Sequence, residues 1–462
     1  MEFKKITEFD TATSLNGSDY IMVVAGGTPK RITLDNLRAM MEENQQQFLD
    51  ENAFYIEENT ASPKGAAYCE TGGSSLMLQI WLSKICAILM TTDGHFTKLN
   101  PNDHRYTADG DQVVKSGAVV DAYKNADWFG MIEGGYWNYL QEVTFSGVKR
   151  IRHHISLTPL PGGWFTKNIP VGMFKCVIQS GQMRSIPFVV PSGGSNINQF
   201  FNYAQARSKN HGLAGEPFRN FLLQYMMAKY GYRDIQNLKA SDGTAIFGVG
   251  LDGTEKSASS TLADGFARQK NIKTGACLGL GYNDGKVEVR DADNYTCHSV
   301  NVGVWENPYA QYWEMDGHLC SVGNDVYQWD ENFLPTGTPT VDSFAAVKHN
   351  KLTRLAAEGN SDADITLITT KGAQHMSYVP TKQHTGITYG DHYWYNASGQ
   401  LWLGGGASDS GADCGLASAN SSYAWSSAAA RLSARITSTF SETTNDNDKG
   451  IGTASWENAR LF

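Results

Sequence analysis

The chain lacks clustered basic charge. Only 18% of its 462 residues are charged, whereas an average soluble protein has about 25%. Asp and Glu (47) outnumber Lys and Arg (38), which gives a net charge of -9. No Lys/Arg-rich run occurs that could neutralise a phosphate backbone. We therefore predict that the protein has no nucleic-acid partner.

The chain also lacks a long hydrophobic run. The most apolar stretch, Ser74 to Met90, is interrupted by Lys84 and is shorter than the roughly 20 residues that cross a bilayer. We interpret it as a buried helix and predict no membrane insertion. The N-terminal residues MEFKKITEFDTA contain no apolar core, so no signal peptide is predicted.

Paired cysteines and familiar catalytic motifs are missing as well. The seven cysteines form no CxxC pair, which argues against a disulfide framework or a zinc site and favours buried reduced thiols. GxSxG, HExxH and GxxxxGK[ST] are absent. His153 and His154 are neighbours, and neighbours on a strand point to opposite faces, so we expect a structural role for both. Asp391 and His392 cannot face each other for the same reason.

No enzymatic activity is therefore predicted. Glycoside hydrolysis stays open as an alternative because it needs only two carboxylates at the right separation, and the spacing selects no such pair. No cofactor is predicted either. Calcium is the one metal left open, because the oxygen-rich loop within GLGYNDGKVEVRDADN does not have the ligand spacing of an EF-hand.

Aromatic residues and glycine are abundant. The chain has 20 Phe, 21 Tyr, 11 Trp and 47 Gly, a mixture that favours a loop-rich α+β fold over a helical bundle. Glycine-separated, strand-like segments dominate after Gly231. One clear amphipathic helix is predicted from Gly215 to Gly231, with Gly231 as its C-terminal cap.

The N-terminal residues 1–52 are predicted to be an attachment and oligomerisation segment. YIMVV (20–24) and PKRITL (29–34) are predicted to form a β-hairpin, followed by a helix that Thr33 caps. Its stripe could pack on its own hairpin, or on sister chains as in a coiled coil, where a polar Asn can fix the oligomeric state. The stripe consists of Leu34, Leu37, Met41, Asn44 and Phe48.

Two blocks further along carry a family resemblance. VNVGVWENPYAQYWEMDGHLC (300–320) resembles the signature GxENxxGNxWExxDG of the C-type-lectin-like fold in its formylglycine-generating-enzyme-like branch; the usual second glycine is Ala310 in this chain. LWLGGGASDSGADCGLASANSSYAWSSAAARLSAR (401–435) is similar to the C-terminal region of retroelement-diversified variable proteins of phages and gut bacteria. Arg431 or Arg435 corresponds to the arginine that ends that pattern.

The resemblance implies domain limits and a function. It implies a linking region at 53–190, which precedes or belongs to a C-type-lectin-like domain at 191–436, and a tail at 437–462. The N-terminal segment resembles attachment segments of phage tail or head fibres. The resemblance therefore implies a virion protein that binds a host-cell receptor or polysaccharide. It also implies a homotrimer that is joined to other virion proteins. The alternatives are a structural decoration or adaptor protein, or a glycan-degrading fibre enzyme.

The composition of the stretch 401–436 agrees with a binding surface. Rigid aromatic residues supply contact area at low entropic cost, and small polar residues supply adaptable hydrogen bonds. The alternative is that the tryptophans are core residues and the serines are only solvated. The predicted ligand-binding residues are Trp402, Ser408, Asp409, Asp413, Asn420, Ser422, Tyr423 and Trp425.

Overall fold

The computed structural model describes residues 20–25, 28–58, 69–166, 170–247, 271–290, 296–328, 352–370, 373–383, 391–407, 410 and 414–438. Within these residues the fold is α+β and rich in strands, as predicted. Its helices are α1 (Leu34–Asn52), α2 (Ser75–Ser83), α3 (Ile197–Arg207) and α4 (Glu216–Tyr230).

The strands are numbered in chain order. The first fifteen are β1 (Tyr20–Ala25), β2 (Thr28–Thr33), β3 (Phe54–Glu58), β4 (Cys69–Gly73), β5 (Ile85–Met90), β6 (Phe96–Lys98), β7 (Val114–Lys115), β8 (Ala118–Val119), β9 (Asp127–Ile132), β10 (Tyr136–Phe145), β11 (Val148–Ser156), β12 (Trp164–Thr166), β13 (Val171–Gly172), β14 (Val177–Gln179) and β15 (Gln182–Arg184). The others are β16 (His211–Leu213), β17 (Gly285–Arg290), β18 (Thr296–Val302), β19 (Trp305–Glu306), β20 (Trp313–Val322), β21 (Asp325–Gln328), β22 (Leu352–Thr353), β23 (Gly359–Thr370), β24 (Ala373–Gln383), β25 (His392–Tyr395), β26 (Leu401–Gly404), β27 (Ala419–Tyr423), β28 (Leu432–Ser433) and β29 (Ile436–Ser438).

The N-terminal hairpin and helix form as predicted. β1 pairs antiparallel with β2, and the Thr33 hydroxyl accepts a hydrogen bond from the Asn36 N–H at 3.1 Å, which caps α1. The C-terminal half of α1 packs on a five-stranded sheet of its own chain (order β12-β10-β11-β3-β4), where Leu49 shares a buried cluster with Ala53 and Leu160 of the β11–β12 loop. Asn44 is exposed. The side chains of Leu34, Leu37 and Met41 lie outside the described residues, so the coiled-coil alternative for the front of the stripe is still a prediction.

The interpretation of Ser74 to Met90 as one helix is wrong. α2 ends at Ser83, and the chain continues as strand β5, whose six residues are all buried. A strand that is covered on both faces is a continuous apolar run, which periodicity cannot distinguish from a buried helix. α2 itself lies at the surface, since 64% of Leu76 is exposed. No helix among the described residues is both long and apolar enough to cross a membrane.

A central six-stranded sheet, in the order β16-β29-β13-β9-β5-β6, joins distant parts of the sequence. Its strands come from both sides of residue 190. β29, near the end of the described chain, pairs with both β13 and β16, so residues 436–438 act as a latching strand. Residues 439–462, most of the predicted tail, lie outside the described residues.

Helix α4 forms as predicted and is buried on nearly every side. It ends at Gly231, whose φ of 62° is left-handed and whose N–H donates to the Met227 carbonyl. A Cβ at Gly231 would lie 3.1 Å from the Cys69 carbonyl oxygen.

Gly231→Ala should therefore lower the free energy of unfolding by about 1–2 kcal/mol, the cost of a left-handed L-residue. Chemical denaturation measures it. Gly231→Asn is the matched control and should cost less, because Asn tolerates this conformation. Equal stability of the Ala variant and the parent would contradict the prediction.

Candidate binding surface

The C-terminal part of the chain builds the largest sheet, in the order β22-β21-β20-β26-β27-β25-β23-β24 with β28 beside β20. β20, β26 and β27 pair antiparallel, whereas β27 and β25 pair in parallel. Residues that are paired across strands point to the same face of a sheet. Two neighbouring rows of paired residues define one face of this sheet. The first row consists of Tyr327, Cys320, Leu401 and Tyr423, and the second consists of Met315, Leu403, Asn420 and Trp394.

A β-bulge places Tyr423 on this face. Ser421 and Ser422 of β27 together stand opposite Trp402, because Leu401 pairs with Tyr423 and Leu403 pairs with Asn420. The Asn420 side-chain oxygen accepts from the Ser422 N–H at 2.8 Å and from its hydroxyl at 2.7 Å. Asn420, a predicted ligand-binding residue, is thus buried and holds the bulge in place.

Two of the predicted aromatic contact residues lie in the core. Trp402 is only 2% exposed and packs on the opposite face of the sheet against Tyr393, with ring centres 6.0 Å apart. Trp425 is 8% exposed, and its indole N–H donates to the Asn198 side chain of α3 at 3.2 Å. The alternative of core tryptophans therefore describes both residues in this structure.

Tyr423 and Ser422 are half-buried and reach the surface. Arg431 lies over the Tyr423 ring, 5.6 Å from its centre, and donates to the Tyr423 hydroxyl. This pair brings a flat ring and a guanidinium together at the C-terminal end of β27, an interior strand of the sheet. Ser408, Asp409 and Asp413, the remaining predicted residues, lie outside the described residues.

Trp394 is a second half-buried ring on the same face. Its ring packs edge-on against buried Trp313, with centres 5.0 Å apart and planes at 87°. The His392 ring centre lies 4.3 Å from the Trp394 ring centre, and the His392 side chain is 18% exposed. Strand spacing places the backbones of Trp394 and Tyr423 about 8 Å apart. We call His392, Trp394, Ser422, Tyr423 and Arg431 the aromatic patch.

Arg354 supports the patch from the other face. It is 2% exposed, and its guanidinium donates to the backbone carbonyls of Ser421, at 3.0 Å, and of Gly323, at 2.5 Å. It also donates to the carbonyls of Asn396 and Gly399 in the turn between β25 and β26. One cation therefore fixes the bulge and two turns in place without a carboxylate partner among these contacts.

The signature around WENPYAQYWEMDG forms a buried ionic frame. Glu314 accepts from Lys175 at 2.5 Å and from Arg435 at 2.7 Å. Arg435 also donates to four backbone carbonyls, those of Gly172, Met173, Glu306 and Asn307. The frame thus connects β20, the central sheet and the C-terminal strand. Ala310 has a φ of 57°, a left-handed conformation that favours glycine.

Burial dominates the electrostatics of this frame. It lowers the pKa of Lys175 to about 8, although Glu314 opposes that change. It raises the pKa of Glu306 to about 7, although the N–H groups of Cys277 and Gly275 and the charge of Arg435 act in the opposite direction. For Glu314 burial also acts upward, but Arg435 and Lys175 outweigh it and the pKa falls. These charges neutralise each other inside the protein, and they lie away from the surface.

No group of metal ligands is assembled among the described residues. They contain no group of three or more His, Cys, Asp or Glu side chains that could hold a metal ion, and residues 291–294 of the loop considered for calcium lie outside the described part of the chain. The seven cysteines are buried and form no disulfide. Burial raises the pKa of Cys86 and Cys320 to about 12, so these thiols are not nucleophiles at neutral pH. Burial also raises the pKa of Asp391 to about 7.

His153 and His154, for which a structural role was predicted, each lie beside a side-chain amide oxygen. They point to opposite faces of β11, where His153 Nε2 lies 2.9 Å from Asn138 Oδ1 and His154 Nε2 lies 2.9 Å from Gln141 Oε1. Both imidazoles are buried.

Sequence reasoning missed Arg354, and it did not assign a contact role to His392, Trp394 or Arg431. The aromatic run YWYN and the arginine near the end of the chain were visible signals, but the face on which each residue lies depends on the bulge and on the parallel pairing of β25 with β27. No family model matches this chain, and no curated protein matches it.

Proposed function

We propose that the protein is a phage virion appendage, a tail or head fibre, whose C-terminal sheet binds a receptor or polysaccharide on the host-cell surface. The single observation that carries the proposal is the aromatic patch. It combines half-buried rings, a guanidinium, an imidazole and a serine at the ends of two neighbouring interior strands, the mixture that contact surfaces use. The sequence resemblance to C-type-lectin-like variable proteins supports the same function.

The other partners belong to the same proposal. The N-terminal hairpin and α1 join the chain to other virion proteins, and three copies form a homotrimer, which would raise weak binding at each site through effective concentration. Light scattering that gives the mass of one chain would contradict the trimer.

Trp394→Ala and Tyr423→Ala should each reduce adsorption to susceptible bacteria by tenfold or more. Truncation of a central aromatic contact costs about 2 kcal/mol or more of binding free energy, which is roughly 30-fold. Adsorption of the labelled full-length chain to a panel of bacterial isolates measures it, followed by binding to glycan and protein fractions of the isolates that adsorb it.

Phe145→Ala is the matched control. Phe145 is 63% exposed at the tip of the β10–β11 hairpin, in a different sheet, so its loss should leave adsorption unchanged. Full adsorption by both patch variants would place the binding site elsewhere. If the chain releases reducing ends from a bound polysaccharide, it is a glycan-degrading enzyme instead. If it binds virion proteins but none of the isolates, it is an adaptor.

A further inference from the structure

Helix α1 is attached to the five-stranded sheet by a directed chain of hydrogen bonds. Gln46 donates from Nε2 to the Asp50 carboxylate at 2.8 Å, so its Oε1 faces the sheet. That oxygen accepts from Gln141 Nε2 at 2.9 Å, which in turn directs Gln141 Oε1 toward His154 Nε2, 2.9 Å away. Because a carboxylate only accepts, Asp50 fixes the direction of every bond in the chain.

The same chain fixes the tautomer of the neutral His154 ring. Since Gln141 Oε1 can only accept, His154 Nε2 must carry the hydrogen, and Nδ1 is the bare nitrogen of a neutral ring. Nδ1 is buried and has no hydrogen-bond partner. The rings of Tyr55 and Tyr139 lie 5.5 and 6.0 Å from the imidazole. A second proton would therefore create a buried cation with an unsatisfied N–H, which is costly.

We propose that His154 is an acid-sensitive latch, which holds α1 on the sheet while it is neutral and releases α1 when it is protonated. The apolar contact that the latch closes is small, chiefly Leu49 and Ala53 against Leu160 with Phe48, Trp137 and Tyr139 around them. Release of α1 therefore requires less energy than opening the main core. The latch does not depend on the proposed binding function.

The charges around His154 act in both directions. Burial is the main reason that its pKa is lowered to about 4; Arg152 on the same strand lowers it further, and Asp50 on α1 raises it. Glu57 on β3 is 3% exposed and pairs with both Arg150 and Arg152, so it partly cancels their repulsion. The other neighbours that face His154 are the aromatic rings of Tyr55 on β3 and Tyr139 on β10.

The sign follows from the lowered pKa. The docked helix is fully favoured above pH 6.5, the ordinary pKa of His, and loses stability as the pH falls from there toward about 4. Each pH unit in this window favours release by up to tenfold, which is about 300-fold in all. His153 on the opposite face has a pKa of about 3, but it stays covered by the sheet when only α1 is released.

Hydrogen exchange of the full chain between pH 7.5 and 4 tests the latch, after correction for the intrinsic pH dependence of exchange. Protection of residues 43–52 should fall by up to about 300-fold relative to α4. His154→Gln cannot gain the proton and should keep the protection of α1 nearly constant. His95→Gln is the matched control, because the His95 side chain is 69% exposed, and should behave as the parent.

Protection of α1 that is the same at pH 4.5 as at pH 7.5 in the parent chain would overturn the proposal, as would an unchanged decline in His154→Gln. If His154→Gln fails to hold α1 even at pH 7.5, NMR titration of the parent histidines decides. The His154 signal should then titrate well below pH 6.5 together with the loss of α1 protection. A His154 midpoint near 6.5 would overturn the latch.

Discussion

Arg435→Met is expected to lower the free energy of unfolding by about 3–5 kcal/mol, the cost of breaking a buried ion pair from one side. The Arg435 side chain is fully buried and donates to the Glu314 carboxylate at 2.7 Å. Its removal leaves Glu314 with Lys175 as its remaining ion-pair partner among these contacts and leaves four buried carbonyls without their guanidinium donor. Urea denaturation measures the change.

Arg431→Met is the matched control for this substitution. Arg431 lies only four residues earlier but is half-buried in the aromatic patch, where it lies over the Tyr423 ring. Its loss should cost no more than about 1 kcal/mol. A stability of Arg435→Met within 1 kcal/mol of the parent would mean that the ionic frame does not hold the C-terminal strand.

Trp402→Ala is expected to cost about 3–5 kcal/mol of stability, because it leaves a large cavity between the sheet and its cover. Trp402 is 2% exposed and packs with Tyr393, Leu319 and Val326. Any loss of adsorption by this variant should follow its loss of folded protein, as measured by thermal unfolding and near-UV circular dichroism.

Trp394→Ala provides the contrast. Its ring is half-buried, so truncation should cost less stability than truncation of Trp402 while adsorption falls. A different result would contradict this account: Trp402→Ala folds as stably as the parent and loses adsorption, whereas Trp394→Ala keeps adsorption. Trp402 would then be a contact residue that becomes exposed when the chain binds.

Local signals predicted the elements that depend on local chemistry. The N-terminal hairpin, the Thr33 cap and the Gly231 cap each rest on interactions within a few residues, and all three form. The run Ser74 to Met90 was misread because β5 becomes a covered strand only through pairing with β9, about forty residues away. The composition of the run does not show which distant strand pairs with it.

The candidate site depends even more on distant partners. A tryptophan in a Gly/Ser-rich segment can lie in the core or at the surface. For Trp402 the strand pairing decides, because Leu401 pairs with Tyr423 and Leu403 pairs with Asn420 on one face, and Trp402 between them points to the opposite face. Tyr423 and Ser422 reach the surface, whereas Asn420 stabilises the bulge instead. Trp394 joins the patch through parallel pairing of β25 with β27, which no local pattern indicates.

Hydroxyl-radical footprinting of the full chain on bacteria that adsorb it tests the central claim most directly. Trp394 and Tyr423 are reactive aromatic residues at the surface of the free chain, and Phe145, 63% exposed in another sheet, is an internal reference. We expect oxidation of Trp394 and Tyr423 to slow on bound cells while Phe145 reacts as in free protein. Unchanged oxidation of Trp394 and Tyr423 on cells that bind the chain would contradict the assignment of the aromatic patch as the binding surface.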